Sequence, residues 1–142
     1  MKSYLSNLTD SQWNTILHQD KRKRKHTLRD IFDALFYLLK TGCQWRMLPI
    51  HFPSWKLVYY YFSKWKADGT IALIQELLRD KTRKDAGKHK SPSIGIIVWI
   101  VERTFAWFES YRRLSKDFEY HTDTSQTMIQ LAMIKLVLNS IK

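Results

Sequence analysis

The stripe formed by Ile31, Ala34, Leu35, Leu38 and Leu39 limits this chain more than any other feature. The spacing i, i+3, i+4, i+7, i+8 gathers all five on one face of an α-helix, and no strand would do so. The helix starts near Thr27, with Asp30 three residues later, and Gly42 stands where it would stop. A face that apolar has to be covered, so the rest of the chain must supply packing partners.

Helical patterns recur on both sides of it. Thr9-Asp10-Ser11-Gln12 has the form of a capping box, in which Thr9 accepts a helical amide and Gln12 reaches back. Trp13, Ile16 and Leu17 follow at helical spacing, which predicts a helix over about 10–19. A third helix is expected over 54–67, burying Trp55, Val58, Tyr59, Phe62 and Trp65 and turning Lys56, Tyr60, Ser63, Lys64 and Lys66 mainly elsewhere. Between them, 42–53 is a connector broken by Pro49 and Pro53, whose Trp45, Met47 and Leu48 should pack down onto the helices. Gly69 ends the third helix, and Ile71–Arg79 reads as a short fourth one with Ile74, Leu77 and Leu78 buried.

Composition changes after Leu78. Arg79–Lys90 holds six Lys or Arg and almost nothing apolar, which suits a linker or a phosphate-facing arm. Residues 91–101, SPSIGIIVWIV, have β-branched side chains and no helical period, which suits a strand. From Glu102 the pattern turns helical again through Phe105, Trp107, Phe108 and Leu114. Thr122 or Asp123 can cap a last helix, with Gln126 completing a box and Met128, Leu131, Ala132, Leu136 and Leu138 as the apolar face.

Charge decides which partners to consider. A net charge of +11 attracts polyanions, and displaced counterions give affinity for nucleic acid regardless of sequence. An aromatic content of 14% gives the chain enough to bury and argues against disorder. Cys43 is the only cysteine, so a disulfide framework and a multi-cysteine zinc site are both excluded within one chain. The start, MKSYLSNLTDSQW, carries no apolar signal region, and the run Ile94–Val101 is too short to span a bilayer. The expected location is the cytoplasm, in association with the nucleoid.

Sites of chemistry are sparse. His18, His26, His51, His89 and His121 are scattered, no glycine-rich phosphate loop exists, and no spacing suggests a Ser-His-Asp triad. The third helix could present Lys56, Tyr60 and Lys64 to a DNA groove while its aromatics hold it down. The same polar face would suit solvent. The runs Lys21-Arg22-Lys23-Arg24-Lys25 and 81–90, including Arg83 and Lys84, could grip phosphates or simply be hydrated. Glu102 sits where a strand-like segment meets a helix, either as a metal ligand or as a helix-start carboxylate favoured by the dipole.

LTDSQW, RDIFDALFYLLKTGCQWRMLP and FPSWKLVYYYFSKWKADG closely resemble the N-terminal domain of transposases of the insertion sequence five group. WIVERTFAWFESYRRLSKDFEYHTDTSQTMIQLAMIKL resembles the end of the same proteins. The resemblance implies cut-and-paste transposition by a ribonuclease-H-like domain, whose Asp-Asp-Glu triad binds divalent metal such as Mg2+. By motif, Glu102 in VERTF is the third carboxylate. The first Asp should follow the strand that SPSIGII resembles, yet Val98 stands next and WIVERTF begins at once. The Arg that the family tends to place four residues before the Glu is also replaced by Val98. The sheet and second Asp that belong between these motifs are absent, as an in-frame internal deletion would leave them.

The expected fold is therefore mainly all-α. It comprises a helical, helix-turn-helix-like DNA-binding domain over 1–80, a basic linker over 81–93, and over 94–142 two helices left from a truncated ribonuclease-H-like domain. The apolar faces of those helices must find the N-terminal helices, another subunit, or solvent. The expected partner is DNA at insertion-sequence ends, with self-association or full-length transposase as further partners and no membrane. No cofactor is expected for this chain, with Mg2+ in intact relatives, and DNA binding without cleavage is the expected activity. The alternatives are a repressor of the full-length transposase and a decayed gene product.

Overall fold

Side-chain caps mark where the first helices begin. Thr9 Oγ1 accepts from the Gln12 amide at 3.4 Å, and Gln12 Oε1 accepts from the Thr9 amide at 3.2 Å. The anticipated box thus opens α1, Asp10–Ile16. A second box opens α2, Leu28–Thr41, where Thr27 Oγ1 accepts from the Asp30 amide at 3.2 Å and the Asp30 carboxylate accepts from the Thr27 amide at 2.9 Å. Gly42 closes α2 at φ 66°, its amide donating to the Leu38 carbonyl at 2.9 Å. A Cβ at Gly42 would also lie 3.1 Å from Arg112 Cβ, so both its backbone and its neighbours call for glycine.

The computed structural model describes residues 7–16, 26–85, 106–107, 109–116 and 119–140. After α2 come a 3-10 turn, Trp45–Met47, and the helices α3, Trp55–Ala67, and α4, Thr70–Asp85. Then follow α5, Arg112–Ser115, and the long α6, Thr122–Ser140. No strand occurs among the described residues, and the architecture is mainly all-α. The strand-like stretch 94–101 lies outside the described residues.

Helix α2 is central. All five residues of its stripe are buried, and Phe32 and Phe36 are buried beside them. Ile71, Ile74 and Leu78 of α4 and Met128, Leu131, Ala132, Ile134 and Leu138 of α6 join the same continuous core. Of the three places open to the last helix, it takes the first: α6 lies along α4 and against α2. Burying a Leu or Ile side chain is worth about 1.5–3 kcal/mol, so this docking is a large share of what stabilises the chain.

The structure departs from the expected pattern in several places. Helix α4 runs on to Asp85, past Arg79. Its buried residues Ile71, Ile74 and Leu78 leave Leu77 on another side, 60% exposed. On α6, Ile134 is buried and Leu136 is only half-buried. Met128, Leu131, Ala132 and Leu138 of the expected face are buried; apolar residues also flank that face over 128–138, so spacing does not separate Ile134 from Leu136.

Candidate nucleic-acid interface

Helix α3 is held from beneath by Val58, Phe62 and Trp65, all buried, with Trp65 stacked on Phe32 at 4.6 Å between ring centroids. Pinning that side turns the opposite side out. Lys56, Tyr60 and Lys64 follow one another at i, i+4 and i+8, and all three are exposed. Cations and rings alternate around them. The guanidinium of Arg46 and the ammonium of Lys56 lie 5.5 Å and 5.9 Å from the centroid of Trp55. Such a surface offers donors to phosphate and flat rings to bases.

Three residues differ from the expected pattern here, the first being Trp55, which is half-buried. Helical spacing puts Tyr59 on the buried face, but it is 47% exposed, its ring edge-on to Trp45 at 5.1 Å. Lys66 belongs by pattern among the outward polar residues, yet it is half-buried and donates to Thr124 Oγ1 at 3.3 Å, tying α3 to α6. A sequence signal for Tyr59 does exist. Tyr59, Tyr60, Tyr61 and Phe62 are consecutive, and four successive residues wrap most of a helix, so some must face out. In the connector, Trp45 and Leu48 pack on the core as expected, but Met47 does not and Ile50 is 94% exposed.

A buried cation joins α5 to the connector. Arg113 is 5% exposed; its Nε donates to Glu119 Oε1 at 2.8 Å, and Nη2 donates to the same oxygen. Its Nη1 donates to the Cys43 carbonyl at 2.9 Å, and the guanidinium lies 5.3 Å from the Trp45 ring centroid. Nothing in the residue pattern singles out Arg113.

A second buried polar cluster joins the N-terminal stretch to α2 and α6. Asp33 Oδ1 accepts from the Leu8 amide at 2.6 Å. Lys135 Nζ donates to the Asn7 carbonyl at 3.1 Å and to Gln12 Oε1 at 3.3 Å. Burial raises the Asp33 carboxyl above its usual range, against the Leu8 amide and the charges of Arg29 and Lys135. Burial lowers the Lys135 ammonium, against Asp33. Every polar atom named here serves to hold the fold.

The remaining anticipated residues divide by position. Arg83 and Lys84 stand in the last turn of α4. Lys21, Arg22, Lys23, Arg24, Lys25 and Glu102 lie outside the described residues. Among the described residues, no three His, Cys, Asp or Glu are placed to hold a metal ion, so they do not form a ligand set for a divalent cation. None of the described helices is long and apolar enough to cross a membrane.

Residues 8–75 match the family described as "Putative transposase of IS4/5 family", and residues 66–139 match the transposase DDE domain. The chain belongs to the IS4/5-type transposases. No curated protein and no solved structure matches it. Within this transposase chain, Cys43 falls in the first matched region and Arg113 in the second, so their hydrogen bond joins the two.

Proposed function

We propose that this transposase-family chain binds the ends of its insertion sequence through α3 and does not cut them. The observation that carries the reading is the outward row of Lys56, Tyr60 and Lys64 on a helix whose other side is locked into the core. A helix held in this way can enter the major groove as the second helix of a helix-turn-helix does. The connector from Gly42 to Ser54 is longer than the tight turn of that motif, which makes this a looser relative of it. Arg83 and Lys84, with Lys21–Lys25, add phosphate contacts that carry no sequence information.

The loss of cutting rests on the carboxylates. Two-metal strand cleavage needs several acidic groups converging on paired ions. Glu102 is one by family motif, and Val98 stands where the first Asp would follow its strand. An internal deletion accounts for the missing second Asp. A chain that grips the ends without cutting them would compete with intact transposase, which is the repressor reading. One observation favours it: α6 shares a single core with α2 and α4, so the last helix has a packing partner without the missing sheet.

The test is fluorescence anisotropy with an element-end duplex and a shuffled one, at low and moderate salt. Tighter binding to the ends is expected. Lys56→Ala and Lys64→Ala should each weaken binding and reduce the salt slope by about 1, with unchanged melting. Equal affinity for both duplexes, or lowered melting with unchanged binding, would show that α3 is not the reading helix. Metal-dependent nicking of the end duplex would refute the loss of catalysis.

A further inference from the structure

We propose that Arg113, clamped by Glu119, is a positioning residue for the DNA-facing side of α3 and acts through Trp45. The inference rests on the reading of α3 as the DNA-binding helix. It adds that the C-terminal part of the chain shapes that surface.

The path is short. Two nitrogens of Arg113 are engaged by one carboxylate oxygen of Glu119, which fixes the plane of the guanidinium. The third bond, to the Cys43 carbonyl, anchors the connector where it leaves α2. The carbon of the guanidinium then lies over the Trp45 ring, 5.3 Å from its centroid. Trp45 has two further neighbours. It tilts against buried Phe62 at 5.4 Å and meets Tyr59 edge-on at 5.1 Å. Tyr59 stands one turn from Lys56 and next to Tyr60, on the flank of the outward row.

An exposed tyrosine on a helix otherwise samples several rotamers. An edge-to-face contact with a ring that is itself held selects one of them. The seat of Arg113 is built for close approach. Gly42 admits the α5 backbone, with the Arg112 carbonyl carbon 3.3 Å from where a Cβ would be, and Lys40 Nζ donates to the Ser110 carbonyl at 3.0 Å. Lysine could replace the charge of Arg113, but it cannot form the fork to Glu119, bond Cys43 and sit over an indole together.

The experiment uses the full chain, the element-end duplex and the ring signals of Tyr59 in an NMR spectrum. Arg113→Lys should shift the Tyr59 signals and weaken binding by about three- to tenfold, with the salt slope unchanged because no phosphate contact is removed. In a Tyr59→Ala background, Arg113→Lys should cost no further affinity. Equal losses in both backgrounds, or unmoved Tyr59 signals, would overturn the proposal. If Arg113→Lys melts below the assay temperature, Glu119→Gln, which keeps an acceptor oxygen, makes the same comparison. If the wild-type chain does not prefer element ends, the DNA reading fails by itself, and the Tyr59 signals still decide whether Arg113 positions that ring.

Discussion

Two buried polar clusters fasten the C-terminal helices to the N-terminal ones, and they use their charge differently. Arg113 meets its countercharge directly, and the neutralised pair then bonds one carbonyl and covers one ring. Asp33 and Lys135 put their hydrogen bonds on the N-terminal stretch, at the Leu8 amide and the Asn7 carbonyl, and act on each other through charge. Burial therefore disfavours both of their charged forms. The charge pair of the first cluster is local, six residues apart in sequence. The second exists only once the two ends of the chain have come together.

Breaking the matched pair should have the largest effect. Arg113→Met removes the guanidinium from the Glu119 carboxylate, itself largely buried, along with the bond to the Cys43 carbonyl. The expected loss is about 3 kcal/mol, on the order of 10 °C in Tm, read by thermal denaturation. A loss under about 1 kcal/mol would place this pair with ordinary surface bridges.

Lys135→Met comes next. Methionine keeps an apolar side chain of similar length but removes the ammonium from over the Phe36 ring, and the Asn7 carbonyl and Gln12 Oε1 lose a donor. About 1–3 kcal/mol should be lost in urea unfolding, less than for Arg113→Met. The reverse order would show that the N-terminal clamp is the stronger tie. Gly42→Ala should cost about 1–2 kcal/mol, because alanine resists the left-handed backbone and its Cβ would press on Arg112. An unchanged melt would mean that α5 can move away freely.

The smallest effect is a slope with pH. The folded state binds the Asp33 proton more tightly than the unfolded chain, whose value is near 3.8. Its contribution to stability is fully present below that value and is lost as pH rises through the raised folded one. Asp33→Asn keeps a carbonyl for the Leu8 amide and removes this decline, so the stability of the wild type relative to the variant should fall across that window. A parallel pair of curves in urea titrations over the acid range would contradict the raised carboxyl. Asp68 runs the other way. Its hydrogen bond from Thr70 lowers it, so its contribution is present above 3.8 and lost as pH falls through the lowered value.

Much of the helical framework is legible in the sequence itself. The caps at Thr9 and Thr27, the stop at Gly42 and the stripe from Ile31 to Leu39 depend on residues a few positions apart, and those interactions form within one helix. The outward row of Lys56, Tyr60 and Lys64 is legible for the same reason, since a strong buried face dictates its opposite. The family also follows from contiguous strings such as TGCQWRMLP.

What the tertiary structure alone decided involves residues far apart in sequence. The spacing already places Met128, Leu131, Ala132 and Leu138 on the buried face of α6, but only docking on α4 and α2 chose Ile134 over Leu136. Lys66 and Lys64 look alike in sequence, yet one reaches Thr124 across the fold and the other faces outward. Arg113 reads as one more cation in a basic chain until Glu119, Cys43 and Trp45 surround it. Helical periodicity assigns residues to faces, but it carries no information about which face meets which, because that depends on the packing of distant side chains.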